Sequence, residues 1–138
     1  MARTHLLDTS VASEPLKHRP LDSVTTRWRA LGDEQLCLSA IGHIELLQGL
    51  LWKNSERLWR AYRSVIKNKF PILPVDAGVA ETYARLSARF RTEGRPKPVF
   101  DLLIASTALH HGLIVATCNM RDFSGIEGLV AEDWRASL

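Results

Sequence analysis

Short apolar runs alternate with longer stretches of helical periodicity along this chain, and that alternation limits what it can fold into. Residues 4–7 form one apolar run, residues 35–38 a second, and residues 113–117 a third that is rich in β-branched side chains. Between them lie segments with helix signals. Residues 20–31 carry Leu21, Val24, Trp28 and Leu31 at helical spacing, with Gly32 as a stop. Ser39 is a suitable N-cap for a helix over 40–51. Residues 55–70 read as a further helix with Leu58, Tyr62, Val65 and Ile66 on one side. Asp76 is placed to cap a helix over 77–91, whose Val79, Tyr83, Leu86 and Phe90 form a stripe. Residues 101–111 are apolar on nearly every side, which predicts a buried helix ended by Gly112.

Residues 10–14 suggest a helical turn, and 128–130 one more short strand. The prolines of Pro71-Ile72-Leu73-Pro74-Val75 confine that segment to a sheet edge or a connection. Strands separated by helices predict an α/β fold with a central parallel β-sheet flanked by α-helices. In such sheets ligands bind beyond the carboxyl ends of the strands. The 138 residues suit one domain, 1–138, and a chain of this size folds without a disulfide or metal staple.

Four acidic residues stand in apolar settings. Asp8 follows His5-Leu6-Leu7, Glu45 interrupts Ile41-Gly42-His43-Ile44-Glu45-Leu46-Leu47, Asp101 opens Asp101-Leu102-Leu103-Ile104-Ala105, and Asp122 precedes Phe123 shortly after the third apolar run. A carboxylate near a core neutralises, pairs with a cation or binds metal. Each has a plainer alternative: Asp8 a helix cap, Glu45 a buried ion pair, Asp101 a complement to a helix dipole, Asp122 a loop residue. Together they suit a hard divalent cation and metal-assisted phosphodiester hydrolysis.

Charge supports a polyanionic partner. The net charge is +3, and the excess is concentrated in two segments. One carries Lys53, Arg57, Arg60, Arg63, Lys67 and Lys69 against Glu56; the other carries Arg85, Arg89, Arg91, Arg95 and Lys97 against Glu93. Arg60, Arg63 and Lys67 share one helical side and are candidates for backbone phosphates. Cys37 and Cys118 sit in apolar runs as small hydrophobes, and no Cys/His spacing resembles a zinc site. His110 and His111 fall at a helix end, where the dipole is explanation enough. No apolar stretch approaches the ~20 residues of a membrane span, and no secretory pattern opens the chain, so a cytoplasmic location is expected.

The sequence resembles the PIN-domain ribonucleases, and among them the VapC-type toxins of toxin–antitoxin pairs. Four patterns in order carry the resemblance: Leu6-Leu7-Asp8-Thr9-Ser10; Leu38-Ser39-Ala40-Ile41 leading to Glu45-Leu46 and Gly49; Asp101-Leu102-Leu103-Ile104-Ala105-Ser106-Thr107-Ala108; and Thr117-Cys118-Asn119-Met120-Arg121-Asp122-Phe123. The resemblance implies a PIN fold and an endoribonuclease dependent on Mg²⁺ or Mn²⁺. It implies that Asp8, Glu45 and Asp101 are the core metal-binding acids and Asp122 the fourth. Thr117 and Asn119 fall beside the pocket, and Thr9 and Ser10 are placed to orient water or the Asp8 carboxylate. Many relatives carry an acid where this chain has Asn119, which bears on binding of a second ion.

A homodimer and a cognate VapB-type antitoxin are further implications, with Trp28, Trp52 and Trp59 as candidate interface or core residues. The basic helix serves either RNA or the antitoxin. The alternative function is a PIN domain that binds nucleic acid without turnover. A haloacid-dehalogenase-like phosphatase fits less well, because Ser10 occupies the place where that chemistry wants a second aspartate.

Overall fold

A computed structural model describes residues 3–137. Five strands form one wholly parallel sheet: β1 (His5–Leu7), β2 (Leu36–Ser39), β3 (Ile72–Leu73), β4 (Ile114–Thr117) and β5 (Ala131–Asp133), in the spatial order β3-β2-β1-β4-β5. Six helices connect and cover it: α1 (Thr9–Ala12), α2 (Asp22–Leu31), α3 (Ala40–Lys53), α4 (Glu56–Val65), α5 (Ala77–Thr92) and α6 (Val99–His111). This is the parallel α/β architecture that the alternating pattern predicts.

Parallel strands covered on both faces carry no polar side, and β1 and β2 are buried at every position. Two apolar clusters lie on opposite faces. Leu7, Val24, Trp28, Leu36, Leu38, Leu46, Tyr62 and Trp134 belong to one; Leu6, Cys37, Phe90, Leu102, Ile104, Ala105 and Val115 belong to the other. The alternation is visible residue by residue, since Leu36 and Leu38 point one way while Leu6, Cys37 and Val115 point the other. Register follows from it, with Leu6 opposite both Cys37 and Val115. A slip by one residue would exchange the two faces.

The helix signals hold where a side chain enforces them. Ser39 accepts a hydrogen bond from Gly42 N at 2.9 Å, and Asp76 accepts one from Val79 N at 3.0 Å. Gly112 ends α6 in the left-handed region, at φ 65°. The buried helix over 101–111 begins two residues earlier, at Val99, with Val99 and Phe100 exposed. The segment 71–75 lies at the sheet edge, as its prolines require.

Two boundaries differ from the sequence-based expectation by three residues or more. The helix expected over 55–70 stops at Val65 and gives way to a turn in which Asn68 takes φ 62°. Asparagine tolerates that conformation, so the apolar spacing continues through Ile66 and Phe70 without continuing the helix. The last strand is Ala131–Asp133 instead of 128–130. The chain is still turning at Gly128, with φ 84°, and the ladder to β4 begins only at the Val130 carbonyl, which accepts from Val115 N at 2.9 Å.

Leu6 sits on the central strand with no exposure. Leu6→Ala is expected to lower unfolding stability by about 2–5 kcal/mol in urea titration. A loss well under 1 kcal/mol would mean that the core behind β1 collapses around the gap.

Candidate active site

Topology brings the four acids to one end of the sheet. Asp8 directly follows β1, and its backbone N–H continues the ladder by donating to Ala116 O at 2.9 Å. Asp122 lies in a short turn, Met120–Phe123, that follows β4. Glu45 sits on α3, which leaves the carboxyl end of β2, and Asp101 lies in the first turn of α6. Helix α6 packs against both α3 and the Met120–Phe123 turn.

Asp8 resolves one of the alternatives open at the sequence level. Its backbone occupies the N-cap position of α1, yet its side chain makes no capping hydrogen bond. Instead Oδ2 accepts from Ser10 Oγ at 2.7 Å and from Thr117 Oγ1 at 2.9 Å. Those two hydroxyls are themselves held, Ser10 Oγ accepting from Cys118 N and Thr117 Oγ1 from Asn119 N, each at 2.9 Å. A hydroxyl has one hydrogen to give, so both are aimed at Oδ2 and the 3.3 Å approach between them is a contact only. Both hydroxyls are thus spent on Oδ2, and neither bonds Oδ1. Thr9 does not orient Asp8. Its hydroxyl donates to Glu45 Oε1 at 2.8 Å, again holding one carboxylate oxygen and leaving the other.

The acids are near enough to repel one another. Burial pushes the Asp101 carboxyl up to about 6, and the charges of Asp122, Asp8 and Glu45 push it the same way, against a smaller pull from Lys97. Among the described residues, no ion pair reaches any of the four. The buried ion pair considered for Glu45 is therefore not formed. The acids are spaced openly: among the described residues, the trio of potential ligand atoms within 4.8 Å of one another is Asp76, His110 and His111, not a set drawn from these four.

Two clefts flank the acids. One, of about 250 Å³, runs past Thr9 and Glu45 and is bordered by Lys17, Lys53 and Leu58. The other, of about 370 Å³, is lined by Ser10, Cys118 and Asn119 together with Lys17, Arg19 and Arg135. Lys17, Arg19 and Arg135 were not singled out in the sequence, although Lys17-His18-Arg19 is a basic run in a loop. Arg60 and Arg63 are exposed on α4, and Lys67 is exposed in the turn after it, so the three do not share one helix. Arg63 is paired with Glu56 at 3.2 Å. A further acid gave no sign in the sequence. Glu14 is buried, accepts Leu21 N at 2.9 Å and pairs with Lys17, fixing the loop that carries the basic run.

A family model, PIN domain, matches residues 5–129. The chain belongs to the PIN domain family. It is 31% identical over 129 residues to a tRNA(fMet)-specific endonuclease VapC of Shigella flexneri, covering 94% of this chain and 96% of that one. It is 34% identical over 135 residues to Toxin FitB of Neisseria gonorrhoeae, covering 94% and 97%. Among solved structures, FitAcB from Neisseria gonorrhoeae superposes with a TM-score of 0.83 at 32% identity, covering 96% of this chain and all of that one (100%). DNA-bound VapBC from Salmonella typhimurium superposes at 0.81 with 28% identity, covering 96% and 98%. The PIN fold expected from the four sequence patterns is thus the fold found.

The raised Asp101 carboxyl has a measurable consequence for this PIN domain. Its proton is bound more tightly folded than unfolded, so its ionisation costs nothing below the unfolded value near ~4 and costs fully above about 6. In chelator, Asp101→Asn is expected to raise the melting temperature more at pH 7.5 than at pH 5. Equal gains at both pH values would show that ionisation of Asp101, opposed by burial first and by its acidic neighbours second, is not what strains this position.

Proposed function

We propose that this chain is a metal-dependent endoribonuclease, the VapC-type toxin of a toxin–antitoxin pair, formed by one PIN domain over 1–138. The observation that carries the reading is the gathering of four acids, with no paired cation among the described residues, at the carboxyl end of a parallel sheet. Relatives named as tRNA(fMet)-specific endonuclease VapC and Ribonuclease VapC1 support RNA as the substrate.

The donor set fits Mg²⁺ or Mn²⁺. It is all oxygen, it is crowded with negative charge, and one oxygen each of Asp8 and Glu45 is left clear of the hydroxyls that orient the other. Asp8, Glu45 and Asp101 would hold the ion, with Asp122 as the fourth acid. Open spacing suits an ion that keeps several waters and takes few direct protein ligands. When bound, such an ion lowers the pKa of a coordinated water and stabilises charge on phosphate oxygens.

The chain's own residues do the positioning. Ser10 and Thr117 fix the Asp8 carboxylate, and Thr9 fixes Glu45, so neither must reorganise as charge develops. Ser10 and Asn119 line the cleft where the RNA backbone would pass, and Asn119 offers an exposed amide in place of another acid; Thr117, expected there too, is fully buried and acts only through Asp8. Lys17, Arg19 and Arg135 supply positive charge next to the acids; Arg60, Arg63 and Lys67 supply more along and beyond α4.

The partner read from the family likeness is a VapB-type antitoxin, with a homodimer as the assembly of the toxin. Relatives are found in complexes described as VapBC and FitAcB. Of the three tryptophans considered as anchors, Trp28 is buried and Trp59 packs edge-on against Tyr62 in the core, which leaves Trp52 as the exposed one, beside Leu51 on α3. No described helix is long and apolar enough to cross a membrane. We place the protein in the cytoplasm, where its RNA substrate is.

Purified, antitoxin-free protein is expected to cut cellular RNA into discrete fragments with Mg²⁺ or Mn²⁺ and not in EDTA. Asp8→Ala and Glu45→Gln are each expected to slow cleavage by on the order of 10²-fold or more while circular dichroism stays unchanged. Wild-type rates in either folded variant would sink the four-acid reading, and metal-loaded protein that binds RNA without cutting it would favour the binding-only alternative. Arg60→Glu with Arg63→Glu is expected to weaken RNA binding and to lower its salt slope by about 0.7 for each phosphate no longer neutralised. An unchanged slope would assign that face to the antitoxin.

A further inference from the structure

We propose a second metal site, formed by Asp76, His110 and His111, that takes a late first-row divalent cation such as Zn²⁺ or Ni²⁺. The ligand atoms of these three residues lie within 4.8 Å of one another. Asp76 caps α5, and the two histidines are the last residues of α6, so the site joins the start of one helix to the end of the helix packed against it. None of the three closes into a direct ion pair with another or with any other described residue. Their separation is within what ligand atoms around one cation take.

Two features of the surroundings set the groups for that task. Asp76 Oδ1 accepts from Val79 N at 3.0 Å, and the Gly78 N–H also acts on the carboxylate, which pins it at the start of α5. The His110 ring lies over Gly78 in space that only glycine leaves, since a Cβ there would come within 2.1 Å of the ring's Cε1 and 2.3 Å of Nε2. The two imidazoles meet edge to face with centroids 4.9 Å apart. The negative end of the α6 dipole and the Asp76 carboxylate favour a cation here, against the positive end of α5 that Asp76 caps. Of the two arginines that share a cleft with His110, Arg89 is paired with Glu93 and Glu127, while Arg85 donates to the Thr82 hydroxyl and is the positive charge the carboxylate must offset. All three ligands are exposed, so a cation reaches them from solvent and keeps water in its remaining positions.

The donors separate this site from the acidic one. Two imidazoles with one carboxylate suit Zn²⁺, Ni²⁺, Co²⁺ or Cu²⁺, whereas four carboxylates suit Mg²⁺ or Mn²⁺. His110 lies nine residues beyond Asp101 on the same helix, about 13 Å along its axis. A cation at the second site would clamp α5 to α6 and raise stability in proportion to its occupancy.

The test is calorimetric titration of the full chain with Zn²⁺ in excess Mg²⁺, which competes at the acidic pocket. Wild type is expected to bind one Zn²⁺ that is lost in His110→Ala with His111→Ala. Asp76→Asn keeps the helix cap, because asparagine caps as well as aspartate. It is expected to bind at least ~10-fold more weakly, as losing a first ligand costs no less than losing an outer partner. His111→Ala alone guards against a folding defect from the ring over Gly78 and should weaken binding by a similar factor. Mg²⁺-dependent RNA cleavage should stay unchanged in all three. Absence of Zn²⁺ binding by wild type, or wild-type affinity in any of the variants, would overturn the proposal.

Discussion

Repulsion among Asp8, Glu45, Asp101 and Asp122 is the constraint that the rest of the fold must bear. Like charges at the end of a parallel sheet destabilise the structure that gathers them, and the Asp101 carboxyl registers this by rising to about 6, with burial as the larger cause. The apolar layers on both faces of the sheet outweigh that repulsion, since they are buried whatever the charge state of the pocket. Register is the link between the two. Because Leu6 must face Cys37 and Val115, the ends of β1 and β4 finish level, and Asp8 arrives beside Thr117 without any separate interaction to bring it there.

The hydroxyls then decide how each carboxylate is presented. Ser10 and Thr117 crowd onto one oxygen of Asp8, each made a committed donor by a backbone N–H from the segment just after β4. Ser39 does related work at the next strand by capping α3, which sets the rotation of the helix and so the direction of Glu45. These small polar residues carry no charge, and their hydrogen bonds fix the direction of the carboxylates. They turn a set of acids into a set of aimed oxygens, which a flexible cluster would not be.

Much of this was legible in the residues. The β-branched run over 113–117 marks β4, the all-round apolar character of 101–111 marks a buried helix, and Ser39 and Asp76 mark helix starts because capping is a local interaction. The acids were visible for a related reason: a charge within an apolar run is anomalous wherever the run ends up. Glu14 was not visible, because its burial depends on a loop closing over it from Lys17 to Leu21. The clefts' basic residues, Arg19 and Arg135, lie far apart in the chain and meet only through the fold. Side-chain pattern sets the last strand three residues too early because its pairing begins at a carbonyl, and backbone groups leave no mark on that pattern.

His110 and His111 show the limit most clearly. Read along the chain, two histidines at a helix end are accounted for by the dipole, and no second ligand lies near in sequence. The parallel topology runs α5 and α6 as neighbours, and the loop over 94–98 returns the chain so that the end of α6 reaches the start of α5. Asp76 is thereby brought to the pair from thirty-four residues away. The same helix therefore presents an oxygen-rich environment at its first turn and a nitrogen-rich one at its last. Hard and borderline cations are sorted by donor type more than by position, so the two ends of α6 need not compete for the same ion.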